Sequence, residues 1–305
     1  MVGRLFAVYR RSPFWLRNII AYLVRPLRFA MLPFKTININ GYCMVLDFSD
    51  NASFKYLTDK GQYEYTEVSA FLNAIKHNEG AFVMDIGAHY GAFTLAAAGL
   101  GAEKCKNIIA FEPDRRPYNA LVRSIRKNGF EDRITLFRKM VGDDIKKETL
   151  YVNRRSSADN RTHCISTSPI KVREQYAVEC TTVDQTCRQL NIPYDSRFII
   201  KIDIQGNEPR AFKGMAGVLD KSEGFVLFFE YAPYLIRSAG LGVDDFSHAI
   251  SKMEFDEAFE ISNEKLIPLE GIEGLMMKFK ALQHTKETKM EGACADYILI
   301  KNMVF

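Results

Sequence analysis

The chain has 305 residues, which is enough for one large domain with an appendage or for two small domains. Its apolar and charged fractions are ordinary for a globular protein and exclude a disordered or low-complexity chain. The formal charge of +4 becomes −3 once the seven basic residues among residues 1–35 are set aside. The rest of the chain therefore lacks the basic character expected of a dedicated nucleic-acid enzyme.

The six cysteines include no CxxC pair, which favours free thiols over a zinc or redox centre.

Residues 1–36 are predicted to form a basic N-terminal arm. Its segment 14–32 mixes aromatic and aliphatic residues with Arg17, Arg25 and Arg28, so it is a poor transmembrane span. An amphipathic segment fits better, and it could lie on an anionic membrane, on the protein's own body or on a second subunit. No signal-peptide pattern is present, so we expect a cytoplasmic protein with a candidate contact at the inner membrane face.

A β-hairpin is expected in residues 37–60, between the arm and the main domain. Its strands are predicted at residues 37–48 and 54–57, with a polar turn at Ser49-Asp50-Asn51. The main domain is then expected to cover residues 61–305. Within it, residues 144–180 are polar and irregular, which predicts an insertion of hairpin and loops over the edge of the site.

Short apolar runs alternate with longer amphipathic stretches from residue 81 onward. The runs predict strands at residues 81–84, 107–111, 134–141, 198–202, 226–229 and 297–300. The stretches predict helices at residues 91–100, 114–128, 207–220 and 244–254. Such alternation is typical of an α/β fold with a mostly parallel sheet and helices on both faces, and we expect an antiparallel last strand at one edge.

Four carboxylates close or follow predicted strands, namely Asp85, Glu112, Asp143 and Asp203. The carboxyl ends of parallel strands meet at one edge of a sheet, where ligands bind, so we expect these side chains to share one rim. Helix capping is the alternative for each of them taken singly. Their joint occurrence favours a ligand site.

The stretch Asp85-Ile86-Gly87-Ala88-His89-Tyr90-Gly91 follows a strand and precedes a helix. Glycines there let the backbone approach a ligand closely, and a helix N-terminus favours an anionic group. The GxxxG spacing fits the GxGxxG fingerprint of dinucleotide binding badly. It suits a smaller ligand with an amino-acid carboxylate, whose ammonium group Asp85 could meet.

Two further carboxylates extend this pattern to a whole cofactor. Glu112 ends the next strand, where a carboxylate can accept hydrogen bonds from both ribose hydroxyls. Asp143 follows the third strand, where an adenine would lie. An amino acid, a ribose and an adenine together describe S-adenosyl-L-methionine. The predicted cofactor-binding residues are Glu67, Asp85, Gly87, His89, Gly91, Glu112 and Asp143.

At this point the sequence resembles the FkbM family of methyltransferases, over residues 60–301. The matching stretches are VMDIGAHYGAFTLAAA, IIAFEPDRRPYNALVRSIRKNG, VECTTVDQ and IIKIDIQGNEPRAFKGM. The family usually has an asparagine where this chain has His89, an acidic residue at Gln205 and a small one at Asn207. The resemblance implies a class I, Rossmann-like methyltransferase that O-methylates a hydroxyl, often on a sugar, a glycan or a secondary metabolite.

The predicted catalytic residues are Asp203, Glu208 and Glu230. The resemblance places Asp203 and Glu208 at the reaction centre, and Glu230 ends the fifth predicted strand. An alcohol is a poor nucleophile while protonated, so a base or a metal would help. We favour Asp203 as the base and expect no metal.

Other functions remain open. An amino-methyltransferase of nucleic acids would be expected to have Asn/Asp-Pro-Pro-Tyr/Phe after the fourth strand, where this chain has Asp203-Ile204-Gln205-Gly206. A protein acceptor and a scaffold that does not catalyse are further alternatives. We expect a small-molecule or glycan acceptor and no nucleic acid.

Overall fold

The computed structural model describes residues 34–39, 41–53, 65–101, 103–153, 156–162, 172–262, 264–284 and 294–305. Its strands are, in chain order, β1 (Phe34–Ile39), β2 (Tyr42–Asp47), β3 (Ala81–Ile86), β4 (Cys105–Phe111), β5 (Ile134–Phe137), β6 (Met140–Val141), β7 (Lys146–Asn153), β8 (Val172–Thr181), β9 (Arg197–Ile202), β10 (Gly224–Tyr231), β11 (Glu257–Ser262), β12 (Lys265–Leu269) and β13 (Ala295–Lys301). Its α-helices are α1 (Tyr65–His77), α2 (Ala92–Ala96), α3 (Arg115–Asn128), α4 (Val183–Gln189), α5 (Glu208–Gly214), α6 (Ala216–Lys221), α7 (Pro233–Ser238), α8 (Val243–Ser251) and α9 (Gly271–His284).

Eight strands form one sheet in the order β12-β11-β13-β10-β9-β3-β4-β5. The strands from β10 to β5 pair in parallel, whereas β13, β11 and β12 pair antiparallel. The predicted α/β fold, with its parallel sheet and antiparallel last strand, is confirmed. Because the parallel strands point the same way, their carboxyl ends and the loops that follow them share one edge.

The central strands are continuous apolar runs because both of their faces are covered. Val83, Ile199 and Val226 belong to one core cluster, and their chain neighbours Met84 and Ile200 belong to another. This alternation places the two cores on opposite faces of the sheet. The helices pack against these two layers and leave the carboxyl edge open.

Helix α3 has clear chemical signals at both of its ends. Asp114 accepts a hydrogen bond from the backbone N–H of Arg116 (3.0 Å) at the first turn. Gly129 ends the helix in the left-handed region, with φ of 65°. These two residues explain why the helix occupies nearly the predicted range of 114–128.

The hairpin of β1 and β2 differs from its prediction. Ile39 pairs with Tyr42, so the chain reverses between these two residues and not at the predicted turn, Ser49-Asp50-Asn51. The dipeptide Asn40-Gly41 is the usual signal for a two-residue hairpin loop, and it explains this register. The second strand predicted at 54–57 lies outside the described residues, as do residues 1–33 of the arm.

The antiparallel side of the main sheet also differs from its prediction. The last strand, β13, lies between β10 and β11 and is not at an edge. Strands β11 and β12 were not predicted. Pro268 interrupts the pattern of β12, and a proline is tolerated in a sheet mainly on an edge strand, which is where β12 lies.

Three predicted elements are each divided in two. The strand predicted at 134–141 becomes β5, in the main sheet, and β6, which joins β8 and β7 in a separate three-stranded sheet. The helix predicted at 207–220 becomes α5 and α6, with Met215 between them. The helix predicted at 91–100 becomes α2 and a π-helical turn, Ala97–Gly101.

The antiparallel pairing of β7 with β8 forms the hairpin expected within residues 144–180.

Substitution of Phe246 tests the packing of the hydrophobic core beneath the antiparallel side of the main sheet. Its fully buried ring lies 5.0 Å from that of Tyr231 and 5.6 Å from that of Phe279. We expect Phe246→Ala to lower the free energy of unfolding by about 3–5 kcal/mol, measured by urea denaturation. Met277→Ala, at a side chain that is 64% exposed, should change it by less than about 0.5 kcal/mol. Equal effects of the two substitutions would contradict this packing.

Candidate functional site

A cavity of about 740 Å³ opens at the carboxyl ends of the parallel strands. The loops after β3, β4, β9 and β10 line it, together with residues 156–162 of the insertion. It brings together seven of the ten predicted site residues, which are Glu67, Gly87, His89, Glu112, Asp143, Asp203 and Glu230. The other three, Asp85, Gly91 and Glu208, lie behind its surface.

The glycine loop is shaped by close backbone contacts. Gly87 has φ of 87°, and a Cβ atom there would overlap the carbonyl oxygen of Asp203. The N–H groups of Gly87 and Ala88 both donate to the carbonyl of Phe111, at 3.0 and 2.9 Å. Gly91 has φ of 89°, and a Cβ atom there would overlap Leu121. The described contacts of both glycines serve the turn and its packing, and a contact of Gly91 with the ligand stays a prediction.

Asp85 supports this loop from beneath. Its Oδ2 accepts hydrogen bonds from the N–H (3.0 Å) and the hydroxyl (2.6 Å) of Thr94, and it is 1% exposed. Burial raises the pKa of Asp85, while Lys201, whose Nζ lies 3.9 Å from Oδ1, opposes that rise. The predicted direct contact of Asp85 with a ligand ammonium group does not fit this position. Its described contacts hold α2 in place.

Glu112 occupies the floor of the cavity in a defined orientation. Its Oε2 accepts from the backbone N–H of His89 (2.8 Å) and its Oε1 from that of Asp114 (2.7 Å). Burial, and next the charge of Asp114, raise the pKa of Glu112 to about 8. The carboxyl group is thus fixed by two backbone donors, with its remaining lone pairs available to a ligand.

Asp203 is the more open carboxylate of the rim. Its backbone N–H donates to the carbonyl of Ile86 (3.0 Å), and its Oδ1 accepts from the side-chain amide of Gln205 (3.0 Å). Lys201 lies close to it, with Nζ 3.8 Å from Oδ2 and 3.4 Å from the carbonyl oxygen of Gly87. Lys201 was not predicted as a site residue, although a cation inside the apolar strand β9 was a visible signal.

Glu208 holds the loop that carries Asp203. Its Oε1 accepts from the N–H of Ile204 (2.9 Å), and burial raises its pKa to about 7. Glu208 does not line the cavity, and its described hydrogen bond supports the loop, so its catalytic role stays a prediction.

Glu230 and Asp296 face the cavity from neighbouring strands. They are opposite each other in the antiparallel register of β10 and β13. Burial, followed by the charges of Asp203 and Asp296, raises the pKa of Glu230 well above its ordinary value. Asp296 was missed because β13 was predicted to start at residue 297. Three carboxylates consequently meet at this end of the cavity.

Asp143 marks the opposite end of the cavity, beyond β6. It forms an ion pair with Lys146 at 3.2 Å, and its side chain is partly exposed. Met140, Val141 and Leu150 line the cavity nearby and give this end an apolar surface.

Residues 156–162 form one wall of the cavity. Asn160 donates to Asp114 (2.6 Å), and Asn207 donates to the hydroxyl of Thr162 (2.7 Å). The wall is thus attached to the loops after β4 and β9. Among the described residues, no cluster of three or more His, Cys, Asp or Glu side chains is arranged to hold a metal ion.

Comparison with known proteins gives one family match. The model of the methyltransferase FkbM domain matches residues 85–258, more than half of the chain. Over 82 residues the chain is 34% identical to protein arginine N-methyltransferase 7 of Gallus gallus, a segment that is 27% of this chain and 12% of that protein.

Two solved structures are similar at low identity. Methyltransferase FkbM from Methylobacillus flagellatus KT is 14% identical, with a TM-score of 0.41 over 93% of this chain and 59% of that one. TYW2 of M. jannaschii in complex with AdoMet is 12% identical, with a TM-score of 0.41 over 89% of this chain and 87% of that one.

The raised pKa of Glu112 predicts a pH-dependent effect on stability. Because the folded-state pKa of about 8 lies above the ordinary value of 4.5, the stability that protonated Glu112 contributes is full below pH 4.5 and is lost as the pH rises toward 8. Glu112→Gln cannot ionise, so its free energy of unfolding relative to the unsubstituted protein should increase from pH 5 to pH 8. Urea denaturation across this range measures the difference. Two parallel stability profiles would contradict the assignment.

Proposed function

Because the chain belongs to the FkbM family of methyltransferases, we propose that it transfers a methyl group from S-adenosyl-L-methionine to a hydroxyl group. The observation that carries the proposal is one cavity with Glu112 on its floor and with Asp203, Glu230 and Asp296 together at the carboxyl ends of β9 and β10. One part of the cavity suits a nucleoside, and another suits an acceptor rich in hydroxyl groups.

The residues on the floor fit the proposed cofactor. In its ionised form, each oxygen of Glu112 accepts one backbone hydrogen bond and keeps a lone pair, so the two can accept from the two hydroxyls of a ribose. Met140 and Val141 offer an apolar surface to adenine, with Asp143 at its edge. Gly87 leaves room for a close approach of the methionine part. When bound, S-adenosyl-L-methionine supplies an activated methyl group on a sulfonium sulfur.

Asp203 is the proposed general base. It is the most accessible carboxylate beside the loop of Gly87, and the amide of Gln205 orients it. In this role it would accept the proton of the acceptor hydroxyl, while that oxygen gains the methyl group, the methyl–sulfur bond breaks and S-adenosyl-L-homocysteine is the leaving group. Burial, followed by the charges of Asp203 and Asp296, raises the pKa of Glu230 and so favours its protonated form, which can donate a hydrogen bond to the acceptor.

The acceptor is proposed to be a sugar, a glycan or a hydroxylated secondary metabolite. Carboxylates arranged at one end can accept hydrogen bonds from several hydroxyls, and Phe228 and Tyr234 add aromatic surface to the same cavity. A protein or nucleic-acid acceptor and a scaffold that does not catalyse are the alternatives. The nearly neutral charge of residues 36–305 favours an acceptor that is not a nucleic acid.

A labelled-methyl transfer assay tests the reaction and the acceptor together. Cell extract separated into glycan, lipid, nucleic-acid and protein fractions is incubated with protein and labelled S-adenosyl-L-methionine, and label is expected in the glycan or small-molecule fraction. Asp203→Asn should lower kcat by roughly 100-fold or more with little change in affinity for S-adenosyl-L-homocysteine. Asp220→Asn, on the exposed surface of α6, is the matched control.

The outcomes of this assay are distinct. Label only in protein or nucleic acid would overturn the hydroxyl acceptor. A folded protein that neither transfers label nor binds S-adenosyl-L-homocysteine in calorimetry would overturn the methyltransferase activity itself.

Peripheral membrane contact through residues 1–35 is a separate proposal. Within the ranges that the structure describes, no helix is long and apolar enough to cross a membrane. We expect the full chain to sediment with vesicles that contain anionic lipid, less so as salt is raised, because salt screens the arginines. Deletion of residues 1–33 should abolish this binding, and unchanged co-sedimentation would refute the proposal.

A further inference from the structure

A buried hydrogen-bond relay connects three separate parts of the chain beside the cavity. Asp50 follows β2, His89 and Tyr90 belong to the glycine loop, and Ser157 belongs to the wall. The hydroxyl of Tyr90 lies 2.8 Å from Oδ2 of Asp50, and the backbone N–H of Ser157 lies 3.0 Å from Oδ1. The hydroxyl of Ser157 bonds to Asp50 as well, and Nε2 of His89 lies 2.6 Å from that hydroxyl.

The chemistry of the groups sets the direction of every hydrogen bond in the relay. Both oxygens of Asp50 act as acceptors, and the single hydroxyl proton of Ser157 goes to Asp50. The Ser157 oxygen must then accept from His89, which places a proton on Nε2 of the imidazole. Asp50, Tyr90 and Ser157 are all buried, so water competes little for these bonds.

His89 joins this relay to the floor of the cavity. Its backbone N–H donates to Oε2 of Glu112, and its backbone lies in the left-handed region with φ of 53°. A residue with a Cβ atom is uncommon in that region, so interactions elsewhere must hold it there. The side-chain bond to Ser157 is such an interaction. Loss of that bond would let residue 89 relax and would turn its N–H away from Glu112.

We propose that Asp50 and Ser157 are positioning residues for the cofactor, and that they act through His89 on Glu112. This inference rests on the proposed function, in which Glu112 holds the ribose. Through the relay, the position of the wall, residues 156–162, affects the orientation of Glu112, the carboxylate that contacts the nucleoside. Asp50 lies outside the matched family domain, residues 85–258, and nevertheless contributes to its ligand site.

Calorimetric titration with S-adenosyl-L-homocysteine tests the relay without turnover. We expect Ser157→Ala to weaken binding by about tenfold, because the Nε2–H of His89 loses its acceptor. Asp50→Asn should have a similar effect, since an amide NH₂ group cannot accept from Ser157 or Tyr90. Ser251→Ala, at an exposed position of α8, is the matched control and should bind like the unsubstituted protein.

Two variants at residue 89 separate the side chain from the backbone. His89→Gln keeps an N–H donor at about the reach of Nε2 and should retain most of the affinity. His89→Gly lacks the donor, and because glycine adopts positive and negative φ about equally readily, nothing then holds its N–H toward Glu112, so it should bind about as weakly as Ser157→Ala. This pair still tests the relay if Ser157→Ala or Asp50→Asn does not fold, which thermal unfolding would reveal.

A double-mutant cycle with Glu112→Gln tests the path of the effect. If Ser157 acts through Glu112, the double variant should bind no more weakly than Glu112→Gln alone, whereas independent losses would multiply. Multiplied losses, unchanged affinity of Ser157→Ala, or equal affinities of His89→Gln and His89→Gly would each overturn the relay. A folded, unsubstituted protein that does not bind the probe would instead overturn the proposed function on which the relay rests.

Discussion

The backbone of the glycine loop lies directly against the carbonyl group of Asp203, and the site is built around this contact. Only a residue without a Cβ atom fits at position 87. Two backbone hydrogen bonds form beside this contact. The N–H of Asp203 donates to the carbonyl of Ile86, and the N–H of Gly87 donates to the carbonyl of Phe111. These bonds tie together the ends of β9, β3 and β4. Asp203 and Glu112 are held at fixed positions on the two sides of the loop. Asp203 lies near the proposed acceptor, and Glu112 lies near the proposed cofactor.

Much of the fold could be predicted because its signals are local in the sequence. Strands β3, β4, β9 and β10 are buried on both faces over most of their central residues, so each contains a run of consecutive apolar residues. The antiparallel side gave weaker signals. β12 is exposed and contains Pro268, and the position of β13 in the sheet depends on pairing with residues far away in the chain. The order of strands is a property of long-range contacts, which periodicity cannot encode.

The site was predictable where a residue type and its place at a strand end were sufficient. Glu112 and Asp203 are examples, since both stand at the ends of central parallel strands and both line the cavity at the ligand edge. The direction of a side chain was not predictable in this way, and Asp85 turned out to face Thr94 beneath the loop. The wall was expected only as an insertion, because Ser157 and Asn160 are ordinary polar residues until Asp50 and Asp114 are placed beside them.

The place of β13 in the sheet has a consequence for how the chain is made. β11 and β12 form a hairpin, but they contact β10 only through β13, which is synthesised after both. While the ribosome is still adding these residues, the edge of β10, with its apolar run from Phe225 to Phe229, has no strand beside it. An unpaired edge of this kind can pair with other nascent chains. The interval between synthesis of β10 and of β13 is therefore a stage at which this apolar edge lacks its native partner and a chaperone could protect it.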